Sequence, residues 1–195
     1  MINKESPLKG IMIGTIATVA IHELPGLHTI DLRVAPGSVS QAEVEKMLGI
    51  ELPGRPGKSL TWPAPGGSDI HARHTGRQVL CLAPDWWLIV GFTDAEHILA
   101  SLRLNNEYHF SVVNVSGQRT TIELEGPHAH EVLAHLWEQD LREKSFPVGS
   151  VSQGLMAKAP VIVYHVAPSR YRIMVRSSFA VHLWKALVDA GEEWA

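Results

Sequence analysis

Residues 79–91 read VLCLAPDWWLIVG and residues 161–175 read VIVYHVAPSRYRIMV. Both have one plan: an apolar run, an Ala-Pro turn, a second apolar run. Ala83 corresponds to Ala167, 84 positions on. A helix-like stretch follows each, TDAEHILASL in one case and SSFAVHLWKALV in the other. Upstream, TIDLRVAPGSVSQAEVEKML at 29–48 parallels TTIELEGPHAHEVLAHLW at 120–137. Solenoid and propeller repeats recur every ~20–50 residues. The longer spacing here implies a duplicated α+β unit. The expected organisation is therefore one domain over residues 1–195, built of two similar halves at about 10–104 and 108–195.

Periodicity fills in the unit. Strands are expected near 12–22 and 28–35, and a helix at 40–48 opened by a capping box of Ser40 and Glu43. Val44, Met47 and Leu48 form its apolar stripe. Residues 51–68, ELPGRPGKSLTWPAPGGS, are too rich in proline and glycine for helix or strand and read as a long connection. A hairpin follows at 78–91, turning at Ala83-Pro84-Asp85, then a helix at 94–103 capped by Thr93 and Glu96. Ile98, Leu99 and Leu102 face inward. The second half predicts strands at 110–115 and 119–125 around a turn at Gly117. Gly126-Pro127 opens a helix, with Pro127 in its first turn. Ala129, Val132, Leu133, Leu136 and Trp137 supply its apolar face. After the hairpin at 160–175, the last helix carries Ala180, Leu183, Trp184, Leu187 and Val188 at helical spacing. Hairpins with segregated helices predict an α+β fold with largely antiparallel sheets.

Charge and cysteine content exclude several classes. A net charge of −3 without a dense Lys/Arg cluster leaves no footprint for nucleic acid. Cys81 is the sole cysteine, so an intrachain disulfide is impossible, and a reducing, cytoplasmic setting fits. Residues 10–21, GIMIGTIATVAI, mimic the core of a signal peptide. They are too short to span a bilayer, lack a following small-x-small cleavage site, and read as strand through Thr15 and Thr18. No membrane partner is expected.

The eleven histidines include two close pairs, His71 with His74 and His128 with His130. A zinc site needs three or four converging ligands. His128 and His130 lie about 200° apart on a predicted helix, and His71-His74 has no adjacent third ligand, so no metal site is expected. Ser116 sits in a Val-Ser-Gly turn without a nucleophile-elbow pattern. Walker and Rossmann glycine patterns are absent, and Gly66-Gly67 is not placed between strand and helix. Asp140 and Glu143 read as solvated carboxylates. Trp86 and Trp87 point to opposite sheet faces, one toward the core and the other toward a contact. Trp62, in the irregular stretch, wants either its own core or a partner.

From Phe110 to Leu187 the chain resembles the folate-binding aminomethyltransferase fold of the glycine-cleavage T-protein, N-terminal type. The resemblance rests on Asn114-Val115-Ser116, Leu124-Glu125-Gly126-Pro127-His128-Ala129, Gly149 and Gly154, and Ile162-Val163-Tyr164. Over nearly the whole length, the chain resembles the gamma-subunit family of heterotetrameric sarcosine oxidases. The matching segments run in order: Ser6-Pro7-Leu8, the leucine-proline segment at 48–53, Leu82-Ala83-Pro84-Asp85-Trp86-Trp87-Leu88 and Val115-Ser116-Gly117-Gln118-Arg119. Gly126-Pro127, Phe146-Pro147, Ala157-Lys158-Ala159-Pro160-Val161, Arg176-Ser177-Ser178-Phe179-Ala180 and Leu183-Trp184 continue it.

The departures carry the functional expectation. The aminomethyltransferases place an aspartate pair just before the Val-Tyr strand, where Ala159 and Pro160 stand here. Their Asp-Val-Ser aspartate is replaced by Asn114. Neither change leaves a positioned base. The resemblance thus implies a non-catalytic subunit, with no catalytic, cofactor-binding or metal residues of its own. It would sit in a complex converting sarcosine, tetrahydrofolate and oxygen to glycine, methylenetetrahydrofolate and peroxide. FAD, FMN, NAD, tetrahydrofolate and zinc would belong to the alpha, beta and delta subunits. Arg55, Lys58, Trp62, Trp86 and Trp87 are the expected interface residues. The alternatives are a stand-alone folate-dependent aminomethyltransferase-like protein, a lone regulator or repair factor of this fold, and a gamma subunit serving another N-methyl amino acid oxidase or dehydrogenase.

Overall fold

The computed structural model describes residues 5–62, 77–91, 95–103 and 107–194, without the side chains of Trp62 and His97. Its first apolar run folds as two short strands, β1 (Met12–Gly14) and β2 (Ala20–Glu23), not as the single strand expected over 12–22. Gly14 makes the break: it takes φ +69, and a Cβ there would collide with the Val19 carbonyl.

Next come β3 (His28–Val34) and α1 (Val39–Leu48). The cap of α1 is Ser38, not Ser40: Gln41 N donates to Ser38 Oγ at 3.1 Å, and Gly37 N donates to Gln41 Oε1 at 2.7 Å. Ser40 Oγ instead accepts from His109 N. The proline-rich stretch contains a strand that composition hid, β4 (Ser59–Trp62). Its register on β5 (Arg77–Ala83) pairs Leu60 with Val79, so a neighbour's ladder overrides weak local propensity. Gly66, Gly67, His71, His74 and Thr93 lie outside the described residues. β6 (Trp86–Gly91), α2 (Ala95–Arg103) and β7 (Phe110–Asn114) follow.

The remaining elements are β8 (Arg119–Glu125), α3 (Ala129–Leu136), β9 (Val151–Met156), β10 (Ala159–Ala167), β11 (Arg170–Arg176) and α4 (Ala180–Gly191). The N-cap of α3 is His128, so Pro127 precedes the helix instead of occupying its first turn. Gly154 lies within β9. A Cβ there would stand 2.8 Å from Trp137 Nε1, so glycine admits the indole.

The two hairpins share one irregularity. The β5–β6 register shifts between Cys81 and Ala83, and the β10–β11 register shifts between His165 and Ala167, 84 positions later. An extra residue in the first strand of each pair marks a β-bulge, so the repeat extends to a backbone defect.

Sheet membership departs from consecutive halves. One sheet has the order β4-β5-β6-β3-β7, the other β1-β2-β8-β11-β10-β9. The compact units are Gly26–Ser116 and, together, Met1–Pro25 with Gly117–Ala195. These units do not coincide with the similar halves expected at about 10–104 and 108–195, because β2 pairs with β8 and β7 pairs with β3. In the first unit, Ile30 and Leu32 of β3, Trp87 and Ile89 of β6, Val44 of α1 and Leu99 of α2 share one core. In the second, Val19 and Ile21 join Ile122, Leu124, Val132, Val163, Leu183 and Leu187.

Candidate functional site

The positions where the transferase resemblance would place acidic groups are built as structure. Ala159 is buried in the core of its unit, at the start of β10. Pro160 lies opposite Leu155 of β9, and Leu155 is 63% exposed. Asn114 closes a turn at the end of β7: its Oδ1 accepts from Ser116 N at 3.1 Å and from Ser116 Oγ at 2.6 Å. Its Nδ2 donates to Glu96 Oε1, and Ser116 Oγ accepts from Thr29 N. Local side-chain hydrogen bonds of this kind define turns. They build Asn114 into the turn.

A buried charged cluster lies elsewhere and was not singled out from the sequence. Glu123 of β8 stands opposite His22 of β2 and Arg172 of β11, on one face of the sheet. Arg172 Nε donates to Glu123 Oε2 at 2.8 Å, and Arg170 Nη2 donates to Oε1 at 2.6 Å. His22 Nε2 lies 3.3 Å from Oε1, and Arg170 Nε lies 3.8 Å from Glu125 Oε2. Glu123 is 1% exposed and Arg172 4%. Burial acts to raise the Glu123 carboxyl, but hydrogen bonds from His22, Arg170 and Arg172 with the Arg172 charge outweigh it. They hold the group at about 2, against an ordinary 4.5. A carboxylate that acidic, with both oxygens occupied, is a poor base at neutral pH. It ties three strands together. The signal was present as alternating charges in TIELE and RYRIM, a pattern usually read as a solvated strand face.

A second carboxylate is equally occupied. Asp140 receives a two-pronged contact from Arg142, at 2.9 and 2.6 Å, and a hydrogen bond from Ser145 Oγ. These partners hold it well below the usual carboxylate range. It ends as a surface turn. Near the chain start, Glu23 accepts from Ser6 Oγ and from Gly10 N, pinning the segment before β1.

The expected interface residues separate. Arg55 and Lys58 are exposed on the turn before β4, where Lys58 N donates to Arg55 O. Lys58 borders an open groove of about 590 Å³ floored by Ile50, Leu52, Pro53 and Leu60. Trp62 has its backbone in β4, and its side chain lies outside the description. Trp87 is removed from any contact role: it is 1% exposed in the core, with Nε1 donating to Pro53 O at 3.0 Å. Trp86 takes the other face, as strand alternation requires. It is half-buried, its Nε1 donates to Asp31 Oδ2 at 2.9 Å, and the Arg33 guanidinium lies 4.3 Å from its ring centroid.

Among the described residues no three His, Cys, Asp or Glu side chains converge as metal ligands. His128 stacks on Trp194 with ring centroids 5.4 Å apart, while His130 is exposed. Cys81 is buried and free, and burial pushes its thiol up. No described helix is long and apolar enough to cross a membrane.

Comparison with known proteins sets this geometry in context. Residues 35–193 match the family model described as sarcosine oxidase, gamma subunit family. The sarcosine oxidase subunit gamma of Corynebacterium sp. strain P-1 is 27% identical over 93% of this chain and 84% of the relative. That of Corynebacterium sp. strain U-96 is 26% identical over 91% and 81%. Among solved structures, a chain of the heterotetrameric sarcosine oxidase from Corynebacterium sp. U-96, in complex with pyrrole 2-carboxylate, superposes with a TM-score of 0.84. It is 26% identical, and the match covers 97% of this chain and 95% of that one. The glycine cleavage system aminomethyltransferase T from Bartonella henselae shares the fold, with a TM-score of 0.63 at 14% identity, over 93% of this chain and 56% of that one.

Proposed function

The chain belongs to the sarcosine oxidase gamma subunit family, and on that premise we propose that it is a non-catalytic subunit of an oxidoreductase complex. It serves by docking. The observation carrying this reading is the fate of the acidic positions: Ala159 is core, Pro160 faces Leu155, and Asn114 is consumed by a turn. The most deeply buried carboxylate among the described residues, Glu123, is locked by two arginines.

In this proposal the complex oxidises sarcosine with oxygen and passes the one-carbon unit to tetrahydrofolate. Alpha, beta and delta subunits carry the FAD, FMN, NAD, tetrahydrofolate and zinc, in the cytoplasm. Arg55, Lys58 and Trp62, on or beside β4, remain proposed contacts, together with Trp86. Exposed apolar side chains are available for docking: Ile11 at 43%, Met12 at 59% and Ile16 at 67%, about the β1–β2 turn. A permanent interface typically buries more than about 2,000 Å² around an apolar centre.

Co-expression with the neighbouring reading frames, followed by pulldown on this chain, tests the reading. A yellow, flavin-bearing assembly is expected. The purified chain alone should give no heat in a calorimetric titration with tetrahydrofolate and no turnover. Micromolar binding with no companion subunit recovered would instead select the stand-alone transferase.

A further inference from the structure

Charge is unevenly placed along the chain. From residue 144 to residue 188 there are six Lys or Arg and no Asp or Glu. Arg170 and Arg172 of β11 are met by Glu123 and Glu125 of β8. Arg176, at the end of the same strand, is met by another cation: its partner across the ladder is Arg119 of β8. Ser177 N donates to Gln118 O at 3.2 Å, which makes Arg119 and Arg176 a non-hydrogen-bonded pair, the kind whose side chains stand closest. Like charges so placed destabilise a ladder. Arg119 Nη1 donates to the neutral Gln118 Oε1 at 2.5 Å. Arg176 is exposed and enters no ion pair among the described residues.

Two apolar residues complete the row. Val161 of β10 pairs with Val175, so Pro160 lies beside Arg176, and Pro160 in turn faces Leu155 of β9. Val161 and Val175 belong to the core, and alternation puts Pro160 and Arg176 on the opposite face of the sheet. Leu155, Pro160, Arg176 and Arg119 therefore run side by side across four strands, apolar at one end and cationic at the other. Leu155 is 63% exposed, Pro160 and Arg176 are exposed, and Arg119 is half-buried. Lys158, exposed on the turn between β9 and β10, adds a positive charge two residues before Pro160. Glu123, on the same face of β8, cannot compensate the row, because Arg170 and Arg172 already occupy it.

We propose that this row is a docking surface for an acidic segment of a companion subunit. The segment sets an Asp or Glu side chain between the two guanidiniums and an apolar side chain on Leu155 and Pro160. The proposal rests on the reading of the chain as a docking subunit. A carboxylate accepts forked, charge-assisted hydrogen bonds from guanidinium groups, so it turns the repulsion of the arginine pair into attraction. The Leu155–Pro160 end supplies the apolar contact found at the centre of protein interfaces. That end favours a protein segment over the phosphates of a nucleic acid.

Charge reversal in the co-expressed complex tests this. Arg176→Glu replaces a like-charge pair with an opposite one, so the purified variant chain should melt no lower than the parent. Pulldown on the variant should nevertheless recover companion subunit at a level lower by about tenfold or more. Lys144→Glu, an equal charge change at another exposed site, should recover as much as the parent. In an assembly carrying Arg176→Lys, a zero-length carbodiimide should join the amine at position 176 to an Asp or Glu of the companion, read by mass spectrometry of the linked peptides. Full recovery with Arg176→Glu, while the parent yields its yellow assembly, overturns the docking surface and leaves the subunit reading standing. A parent that recovers no companion overturns both. Equal loss in Lys144→Glu overturns the proposal, since net charge alone would then govern assembly. So does a loss in Arg176→Glu without a carbodiimide bond to a companion carboxylate, the outcome if a nucleic acid or a lipid surface were the occupant. An Arg176→Glu chain melting lower by more than about 5 °C would give the arginine pair a structural role and overturn it as well.

Discussion

Replacing Glu123 with glutamine keeps the shape of the side chain and removes its charge. The buried guanidinium of Arg172, at 4% exposure, and the half-buried one of Arg170 beside it then face a neutral amide. Removing one partner of a buried ion pair costs about 3–5 kcal/mol, because the other charge stays desolvated. The titration of Glu123 gives an independent figure. A carboxyl held at about 2 against an ordinary 4.5 corresponds to roughly 3 kcal/mol of preference for the ionised form in the folded state. The sign follows from that depression. The contribution is complete above pH 4.5 and is lost as the pH falls toward 2, where the folded group also takes up its proton. Urea denaturation at pH 7 should show Glu123→Gln less stable by about 3–5 kcal/mol, with the melting temperature lower by about 6–20 °C. Between pH 4.5 and 2 the variant should lose less further stability than the parent. A triple change of Glu123, Arg170 and Arg172 to methionine removes all three charges together and should recover to within about 1 kcal/mol of the parent. A loss below about 1 kcal/mol in Glu123→Gln, with an unchanged acid profile, would refute the claim that this cluster holds β2, β8 and β11 together.

Two glycines should respond differently to alanine in the same assay. Gly126→Ala, at φ +124 with Thr18 O 2.5 Å from the new Cβ, should cost more than about 2 kcal/mol, while Gly10→Ala, at φ +70 with open space around it, should cost about 1. Trp87→Ala should destabilise by about 3–5 kcal/mol through its core cavity. Trp86→Ala, which gives up a ring contact with Arg33, should cost nearer 1 kcal/mol. Cys81 should resist a disulfide reagent at pH 8 in the native chain and react only as fast as the protein unfolds, since burial both raises its thiol and shields it. Immediate stoichiometric labelling would contradict the buried placement.

Local pattern was enough wherever a residue's neighbours in sequence are also its neighbours in space. The stripe Ile98, Leu99, Leu102 and the face Ala180, Leu183, Trp184, Leu187 are buried as helical spacing demands. The two hairpins, their 84-residue correspondence and the separation of Trp86 from Trp87 follow from a period of two about a turn. That Ala159, Pro160 and Asn114 cannot ionise was equally visible, because it concerns residue type alone. β4 escaped notice, since its strand character comes from pairing with β5 and not from its own composition.

Long-range pairing settled the rest. Nothing local in AIHE or FSVVN states that these strands cross to the other repeat's sheet, because a four-residue connection is compatible with either destination. The choice is made by ladder bonds and core contacts about 100 residues away in one case and about 80 in the other. The same crossing brings His22 to Glu123 and turns a charge pattern resembling a wet strand face into a buried ion cluster. A carboxylate's role depends on what surrounds it, and burial by distant segments is a property that alternation along one strand cannot encode.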